Sequence, residues 1–548
     1  MSSFKPKDYQ ANLPIDQLIL KDQPETEDTV PMDVIFVGGG PAGLSGAIEL
    51  ARLVKEDNES GGSLGEIEIA VLEKAEALGE HNLSGAVVNP MGFKELFPEM
   101  EMKDFPFKGP VEKDEVYYLT KDSQIKFPVV PPTMNNHGNY RASICEMVRW
   151  LGEKAEDGGV NILSSFPADA LLTEGGKVTG VRTTPAGLDR DGNASDQSMP
   201  ATDVTAKVTV LAEGTRGLLA QAYNEWKEIK APNPQLYALG VKEIWKVKKP
   251  LNAVTHTMNW PLPSSAFGGS FFYPMGEDSV ALGLVVRLDY KEHNLDVHEL
   301  LQELKEHSLI KPYLDGGELL KWGAKTIPEG GYNSVPNKLY GDGVVVVGDS
   351  AGFVNVPSLK GIHYAMMSGI YAARNIFKAL KENNTSENIL KKYDSDIRDS
   401  FIMKDLYKVR SMRQGFKSGF MMGSLKAGLM TVTGGSFPSA SCAHADNEDD
   451  KEVQANTPKT AGLSKVDAVY LSGNKTRDDI PQHLTVGKDV SKEVAEFYSH
   501  LCPAGVYEVK GGELVVNAPN CIDCKATDIV GPRWQPREGG AGPKYQNM

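Results

Sequence analysis

The stretch from Met32 to Val54, MDVIFVGGGPAGLSGAIELARLV, limits the fold more tightly than any other part of this chain. A short apolar run, Val34 to Val37, gives way to glycines and then to a helical pattern. Gly38, Gly40 and Gly43 form G-x-G-x-x-G, with Gly39, Pro41 and Ala42 between them. Strand before and helix after is the setting of a dinucleotide-binding half. Gly38 permits the tight turn, Gly40 lets backbone approach a pyrophosphate, and Gly43 lets helix and strand pack closely. The phosphates would face the positive end of the helix. A second strand, IEIAVLEK, brings Glu73 to where it can accept hydrogen bonds from ribose hydroxyls. Its longer than usual spacing from Gly43 reflects the polar, Gly-rich insertion at 55–66.

The strand–glycine–helix theme returns in VVVVGDSAGFVN, with a strand at Val344 to Val347, then Gly348, Asp349 and Gly352. A long helix follows from about His363. Asp349 can accept a hydrogen bond from a ribityl hydroxyl, and it can equally serve as a helix cap. Two such elements, roughly 300 residues apart on one chain, favour FAD over NAD.

The length of 548 residues implies two or three domains. A net charge of −15 argues against general nucleic-acid binding. The opening MSSFKPKDYQANLPIDQLIL has neither signal nor transit character, and no apolar run approaches the roughly 18–20 residues of a spanning helix. Residues 1–31 read as an extended polar lead and 438–465 as an acidic, polar linker. Five cysteines, an odd and sparse set, exclude a disulfide framework. Cys145 reads as part of a helix against the nucleotide half and Cys442 as a linker residue, both structural or incidental. Cys502, Cys521 and Cys524 crowd the last fifth of the chain and favour a ligand cluster.

Further motifs, in order along the chain, resemble the electron transfer flavoprotein–ubiquinone oxidoreductase family. They are EHNLSGAVV, NNHGNY, LGVKEIW, GGSFFY, NVPSLKGIHYAMMSG, PQHLTV, CPAGVYEV and NCIDCKATDI. The likeness runs from about residue 32 to the final GGAGPKYQNM. It implies a mixed α/β fold: a Rossmann-like FAD domain, an inserted quinone-binding domain and a small C-terminal ferredoxin-like iron–sulfur domain. The expected boundaries are 32–235 and 336–437 for the FAD domain, 236–335 for the quinone domain and 466–548 for the cluster domain. The implied activity is electron transfer from reduced electron transfer flavoprotein to ubiquinone at a membrane. By the same resemblance Gly268 and Gly269 line the quinone site; the residues alone suggest a strand bulge. The rivals are a related flavoprotein dehydrogenase with an atypical cysteine site, a flavin monooxygenase and a membrane-bound flavin scaffold.

In the family, CPAGVY supplies one cluster ligand and a CxxCxxC run supplies three. Here Cys502, Cys521 and Cys524 match, and Thr527 stands at the fourth position. Four outcomes stay open: a [4Fe-4S] cluster with an oxygen ligand from Thr527, Asp523, Asp528 or water; a [3Fe-4S] cluster; zinc on His500 and the three cysteines; or three free thiols. The first is preferred. Quinone chemistry also requires an opening to lipid. Two stretches are apolar enough to grip one leaflet: 92–107, with Phe93, Leu96, Phe97, Met100 and Met102, and 415–437, with Phe416, Phe420, Met421, Met422, Leu425, Leu429 and Met430. The cytoplasmic face of a bacterial inner membrane is the expected location, with the mitochondrial inner membrane as the alternative.

Overall fold

Val34–Val37, Ile69–Glu73, Val208–Leu211 and Val344–Val346 are buried at every position, as a parallel sheet covered on both faces requires. The computed structural model describes residues 2–548 apart from 24–25, 27, 86, 417–419, 438–442 and 456–461. In it these strands form the centre of a six-stranded sheet. Its order is Asn161–Ser164, Ile69–Glu73, Val34–Val37, Val208–Leu211, Val344–Val346 and Tyr340–Gly341, all parallel except the last pair. The glycine-motif helix Pro41–Glu59 packs against the helix Ile362–Lys381. The contact is backbone to backbone: a Cβ on Gly369 would lie 2.1 Å from the Ala42 carbonyl oxygen. Two helices that meet this closely bring both of their N-termini to one edge of the sheet.

The second layer is a seven-stranded sheet built on Glu318–Pro328, Tyr237–Lys246, Ser279–Arg287, Gly268–Pro274 and Val254–Asn259. Asp114–Leu119 and Gln124–Lys126 complete it, although they lie inside the stretch read as flavin domain. One hydrophobic core joins this sheet to the C-terminal domain, with Leu239, Leu282 and Trp322 in the same cluster as Phe497, Tyr498 and Ile522.

Three expectations need correction. Residues 1–31 are not an extended lead: Ile19–Lys21 and Thr29–Pro31 are outer strands of a five-stranded sheet. The 438–465 stretch is not a solvated linker over its described residues: Lys451–Glu452 pairs with Ser3–Phe4, and Asp446 and Lys451 are buried. The 92–107 stretch does not offer an apolar surface, because Phe93, Phe105 and Phe107 pack edge to face or tilted on one another, with Phe93 and Phe105 also against Trp150. In each case tertiary pairing overrides a local polar or amphipathic signal. Cys145 does lie on a helix, Ile144–Asp157, where its Sγ is 3.1 Å from the Asn82 carbonyl oxygen. Cys442 lies outside the described residues.

Candidate functional site

A cavity of about 1030 Å³ lies between the six- and seven-stranded sheets. Gly38, Gly40, Pro41, Ala42, Glu73 and Asp349 line it from the first sheet. Gly38 has φ +118°, and a Cβ there would sit 2.4 Å from the Ala212 carbonyl oxygen. Only glycine can make that turn. A Cβ on Gly40 would meet only Asn82 Nδ2, at 3.8 Å, so the bare Cα faces open space at the helix start. Glu73 is held in place by the backbone N–H groups of Gly39 at 3.1 Å and Ala75 at 2.9 Å, which donate to its two oxygens. Asp349 sits on a short 3-10 turn after the strand; burial pushes its carboxyl up to about 6, and Thr215 Oγ1 lies 3.4 Å away. The remaining glycines of the motifs stand behind this wall. Gly39 and Gly43 pack against Leu78 and the Gly38 carbonyl, while Gly348 and Gly352 hold left-handed turns. The helix that begins at Ile362 presents Gly361 and Ile362 to the same cavity. Two helix N-termini, a bare glycine and a fixed carboxylate fit an elongated dinucleotide such as FAD.

Gly268 and Gly269 line the opposite wall. A Cβ on Gly268 would lie 2.0 Å from the Val285 carbonyl oxygen, and one on Gly269 2.5 Å from that of Thr257. Close strand packing therefore demands both glycines, and their backbone is what the cavity meets. Nearby, Tyr273 Oη shares a hydrogen bond with His256 Nε2. Burial holds the His256 imidazole neutral, with its pKa down to about 3. Lys360, lowered to about 8 by burial, donates to Asn136 Oδ1 at 2.7 Å, and Asp114 fixes Asn136 in turn. None of these is singled out by the sequence, although NNHGNY contains Asn136, NVPSLKGIHYAMMSG contains Lys360 and GGSFFY contains Tyr273; His256 and Asp114 lie in none of these motifs. The cavity ends against Phe416, Ala427, Gly428 and Thr431. The last three belong to the helix Phe420–Val432, whose Met422, Leu425, Leu429 and Val432 are exposed.

In the C-terminal domain Cys502 caps the helix Lys492–Leu501, and Cys521 and Cys524 lie just before the helix Ala526–Val530. Asp523 and Lys525 are both left-handed, which coils this loop tightly. Cys502 lies close enough to Cys521 and Cys524 to disfavour their ionisation, and Cys521 does the same to Cys524. Burial is the larger cause, and it pushes Cys521 up to about 12 and raises Cys502 and Cys524 as well. Thiolates at such a place need the charge of a metal centre. Tyr507 is buried beside Thr527 and all three thiols, and its hydroxyl has no hydrogen bond of good geometry among the described residues. Asp523 is already taken by Arg537 at 2.7 Å, Lys74 at 2.5 Å and Trp534 Nε1 at 2.9 Å. Asp528 is held by Arg216 at 2.8 Å and by the Trp534 N–H. His500 Nδ1 lies 3.6 Å from Asp296 Oδ2. Donor atoms of His483, Cys521 and Asp523 come within 4.8 Å of one another, but the Asp523 oxygens are saturated by the cations around them. The three thiols fit an iron–sulfur centre.

Fold and site together define a flavoprotein oxidoreductase with a second sheet domain and a thiol-rich third one. The family model described as "ETF-QO, ubiquinone-binding" matches residues 237–327, and "Electron transfer flavoprotein-ubiquinone oxidoreductase, 4Fe-4S" matches 460–546. The mitochondrial electron transfer flavoprotein-ubiquinone oxidoreductase of Arabidopsis thaliana is 37% identical over 553 residues, covering 95% of this chain and 85% of that one. Its Homo sapiens counterpart is 37% identical over 560 residues, covering 94% and 89%. The chain belongs to the electron transfer flavoprotein–ubiquinone oxidoreductase family. Among solved structures, a geranylgeranyl bacteriochlorophyll reductase-like protein from Thermoplasma acidophilum shares the fold, with TM-score 0.57, 19% identity and coverage of 74% of this chain and 92% of that one.

Proposed function

We propose that this chain takes electrons from reduced electron transfer flavoprotein and delivers them to ubiquinone at a membrane surface. It is an electron-transferring-flavoprotein dehydrogenase whose cofactors are FAD and a 4Fe-4S cluster, in keeping with its family. One observation carries the reading. A single cavity runs from the dinucleotide glycines, past Gly268 and Gly269, to the apolar helix Phe420–Val432.

When bound, FAD supplies exchange between one- and two-electron chemistry, and the cluster supplies one-electron transfer. Gly38, Gly40, Pro41, Ala42, Glu73 and Asp349 would hold the dinucleotide, with Gly39, Gly43, Gly348 and Gly352 shaping its turns. Cys502, Cys521 and Cys524 would hold the cluster, with Thr527 at the fourth corner; loss of the iron there would leave [3Fe-4S]. The backbone of Gly268 and Gly269 would meet the quinone ring. The protein's own task is to exclude water, fix these groups and open a path for an apolar tail.

The helix Phe420–Val432 supports a one-leaflet attachment. Met422 is 50% exposed, Leu425 61%, Leu429 43% and Val432 86%, and Phe437 just beyond is 63% exposed. No helix among the described residues is long and apolar enough to cross a membrane. An amphipathic or apolar helix lying in the interface needs no spanning length. The named relatives are mitochondrial. An inner membrane is therefore the proposed location, and the cytoplasmic side of a bacterial one is the particular placement we favour.

The test is quinone reduction by reduced electron transfer flavoprotein on liposomes that contain ubiquinone. Turnover with loaded flavin and cluster is expected. A fully loaded protein that turns over no quinone would overturn the reading.

A further inference from the structure

Reduction of a quinone to a quinol takes two electrons and two protons. The electrons come from the donor flavoprotein; the protons need a route through protein. Arg287, Asp289, Glu329 and Arg413 line the cavity on the side of Gly268 and Gly269. The link to the glycines runs through Phe267, the residue before them, by the Arg287 backbone N–H and by its guanidinium. The Arg287 N–H donates to the Phe267 carbonyl oxygen at 3.0 Å, and its guanidinium lies 5.3 Å from the centre of the Phe267 ring.

Arg413 is the hub. Its Nε lies 3.4 Å from Glu329 Oε2, and its Nη2 lies 3.9 Å from Asp289 Oδ2 and 3.8 Å from Asp446 Oδ1. Arg287 pairs with Asp289 as well. Lys451, on the far side of Asp446, donates to the carbonyl oxygens of Leu288 and Tyr290. Arg287, Arg413 and Asp446 are at most 6% exposed. Arg413 Nη1 and Nη2, Arg287 Nε and Asp446 Oδ1 have no hydrogen-bond partner among the described residues. Buried polar atoms are almost always satisfied, and Arg287 and Arg413 line the cavity, so their unsaturated nitrogens are built to take water or a polar ligand. The two guanidiniums and the Lys451 ammonium act to lower these carboxyls, yet burial outweighs them at Glu329 and Asp446. Burial raises Glu329 and brings Asp446 up to about 7. One exchangeable proton can therefore reside in the cluster near neutral pH. Lys291 and Asp449 line the same cavity further out.

We propose that Glu329, Asp289 and Asp446, organised by Arg413 and Arg287, form the proton relay to the quinone oxygen held at Gly268 and Gly269. In each turnover the quinone gains two electrons from the reduced donor and two protons from this cluster. Each carboxylate that gives up a proton regains one from solvent by way of the Lys291–Asp449 side. The proposal rests on the quinone site assigned above.

The test compares wild type with Glu329→Gln and Asp446→Asn under reduced electron transfer flavoprotein, using two acceptors. Ubiquinone needs protons; ferricenium takes one electron and none. The relay predicts a loss of roughly 10²-fold in quinone turnover for Glu329→Gln, the size usual for a positioned acid or base, and a change within about twofold for ferricenium. It also predicts a larger solvent deuterium isotope effect on quinone turnover in the variant. Equal losses with both acceptors would mark a structural role and overturn the relay, as would unchanged quinone turnover. A wild-type protein that reduces ferricenium but no quinone would instead overturn the function proposed above.

Discussion

Arg537→Met tests how the cluster loop is held. Arg537 and Asp523 are 1% and 2% exposed in their side chains, and the Nη2–Oδ1 distance is 2.7 Å. Arg537 also donates to the Cys521 carbonyl oxygen at 3.1 Å and to Thr476 Oγ1 at 2.9 Å. Removing one member of a buried ion pair costs roughly 3–5 kcal/mol, because the other charge is left behind. Lys74 and Trp534 still serve Asp523, so the lower end, about 3 kcal/mol, is expected. A chain with several domains does not unfold in one step, so the fitting assay is amide hydrogen exchange at residues 521–537. Exchange there should quicken by roughly 10²-fold at pH 7. Arg537, Lys74 and His81 hold the Asp523 carboxyl well below the usual range, against the cost of burial. A depressed carboxyl stabilises the fold above its unfolded pKa of about 3.9 and loses that contribution as pH falls through the folded value. The gap between wild type and variant should therefore be full at neutral pH and narrow below about pH 4. Arg537→Met combined with Asp523→Asn should recover part of the loss, since the buried carboxylate is gone and the Lys74 ammonium left behind is partly exposed. A change in exchange below about fivefold, or a double variant as loose as the single one, would refute the reasoning.

Thr527→Cys should raise iron and sulfide retention after anaerobic purification and remove any [3Fe-4S] signal from the EPR spectrum of the oxidised protein; unchanged iron content would show that the fourth corner lies elsewhere. Leu425→Asp with Leu429→Asp should lower binding to liposomes by at least roughly 10²-fold in a flotation assay, since each buried leucine contributes about 1.5–3 kcal/mol, and leave flavin content intact. Gly369→Ala places a Cβ 2.1 Å from the Ala42 carbonyl oxygen, so a cost of about 1–3 kcal/mol and weaker FAD retention are expected from thermal melts and flavin absorbance.

The nucleotide half was legible because its signal is local. A strand, a glycine turn and a helix lie within the few residues around Gly38 to Gly43, and Glu73 closes the next strand. The identity of Gly268 and Gly269 was legible only by resemblance: a clash with Val285 or Thr257 depends on neighbouring strands that the sequence does not align. Arg413 and Glu329 were invisible for the same reason. They lie 84 positions apart in sequence and meet only when the second sheet forms. The 92–107 stretch misled because aromatic residues at helical spacing look alike whether they face lipid or a tryptophan such as Trp150. The 438–465 stretch misled because its acidic composition hides one carboxylate, Asp446, whose partner is a buried arginine. Thr527 was the opposite case, a single departure that the motif itself exposed and the buried phenol of Tyr507 then placed in context.

The pairing of Ser3–Phe4 with Lys451–Glu452 bears on how the chain is made. The strand at Ile19–Lys21 waits for Leu171–Thr173, and Val34–Val37 waits for Val208–Leu211. Sheet partners this distant in sequence make folding slow, because closure entropy is lost before the contacts form. During synthesis Val34–Val37 can pair early with Ile69–Glu73, but its other edge and the strands Ser3–Phe4 and Ile19–Lys21 stay open to wrong partners until much later residues emerge. The cavity wall is then complete only late, once Asp349 joins Gly38 and Gly40. Slowing the ribosome would not relieve the problem, because the missing strands have yet to be translated.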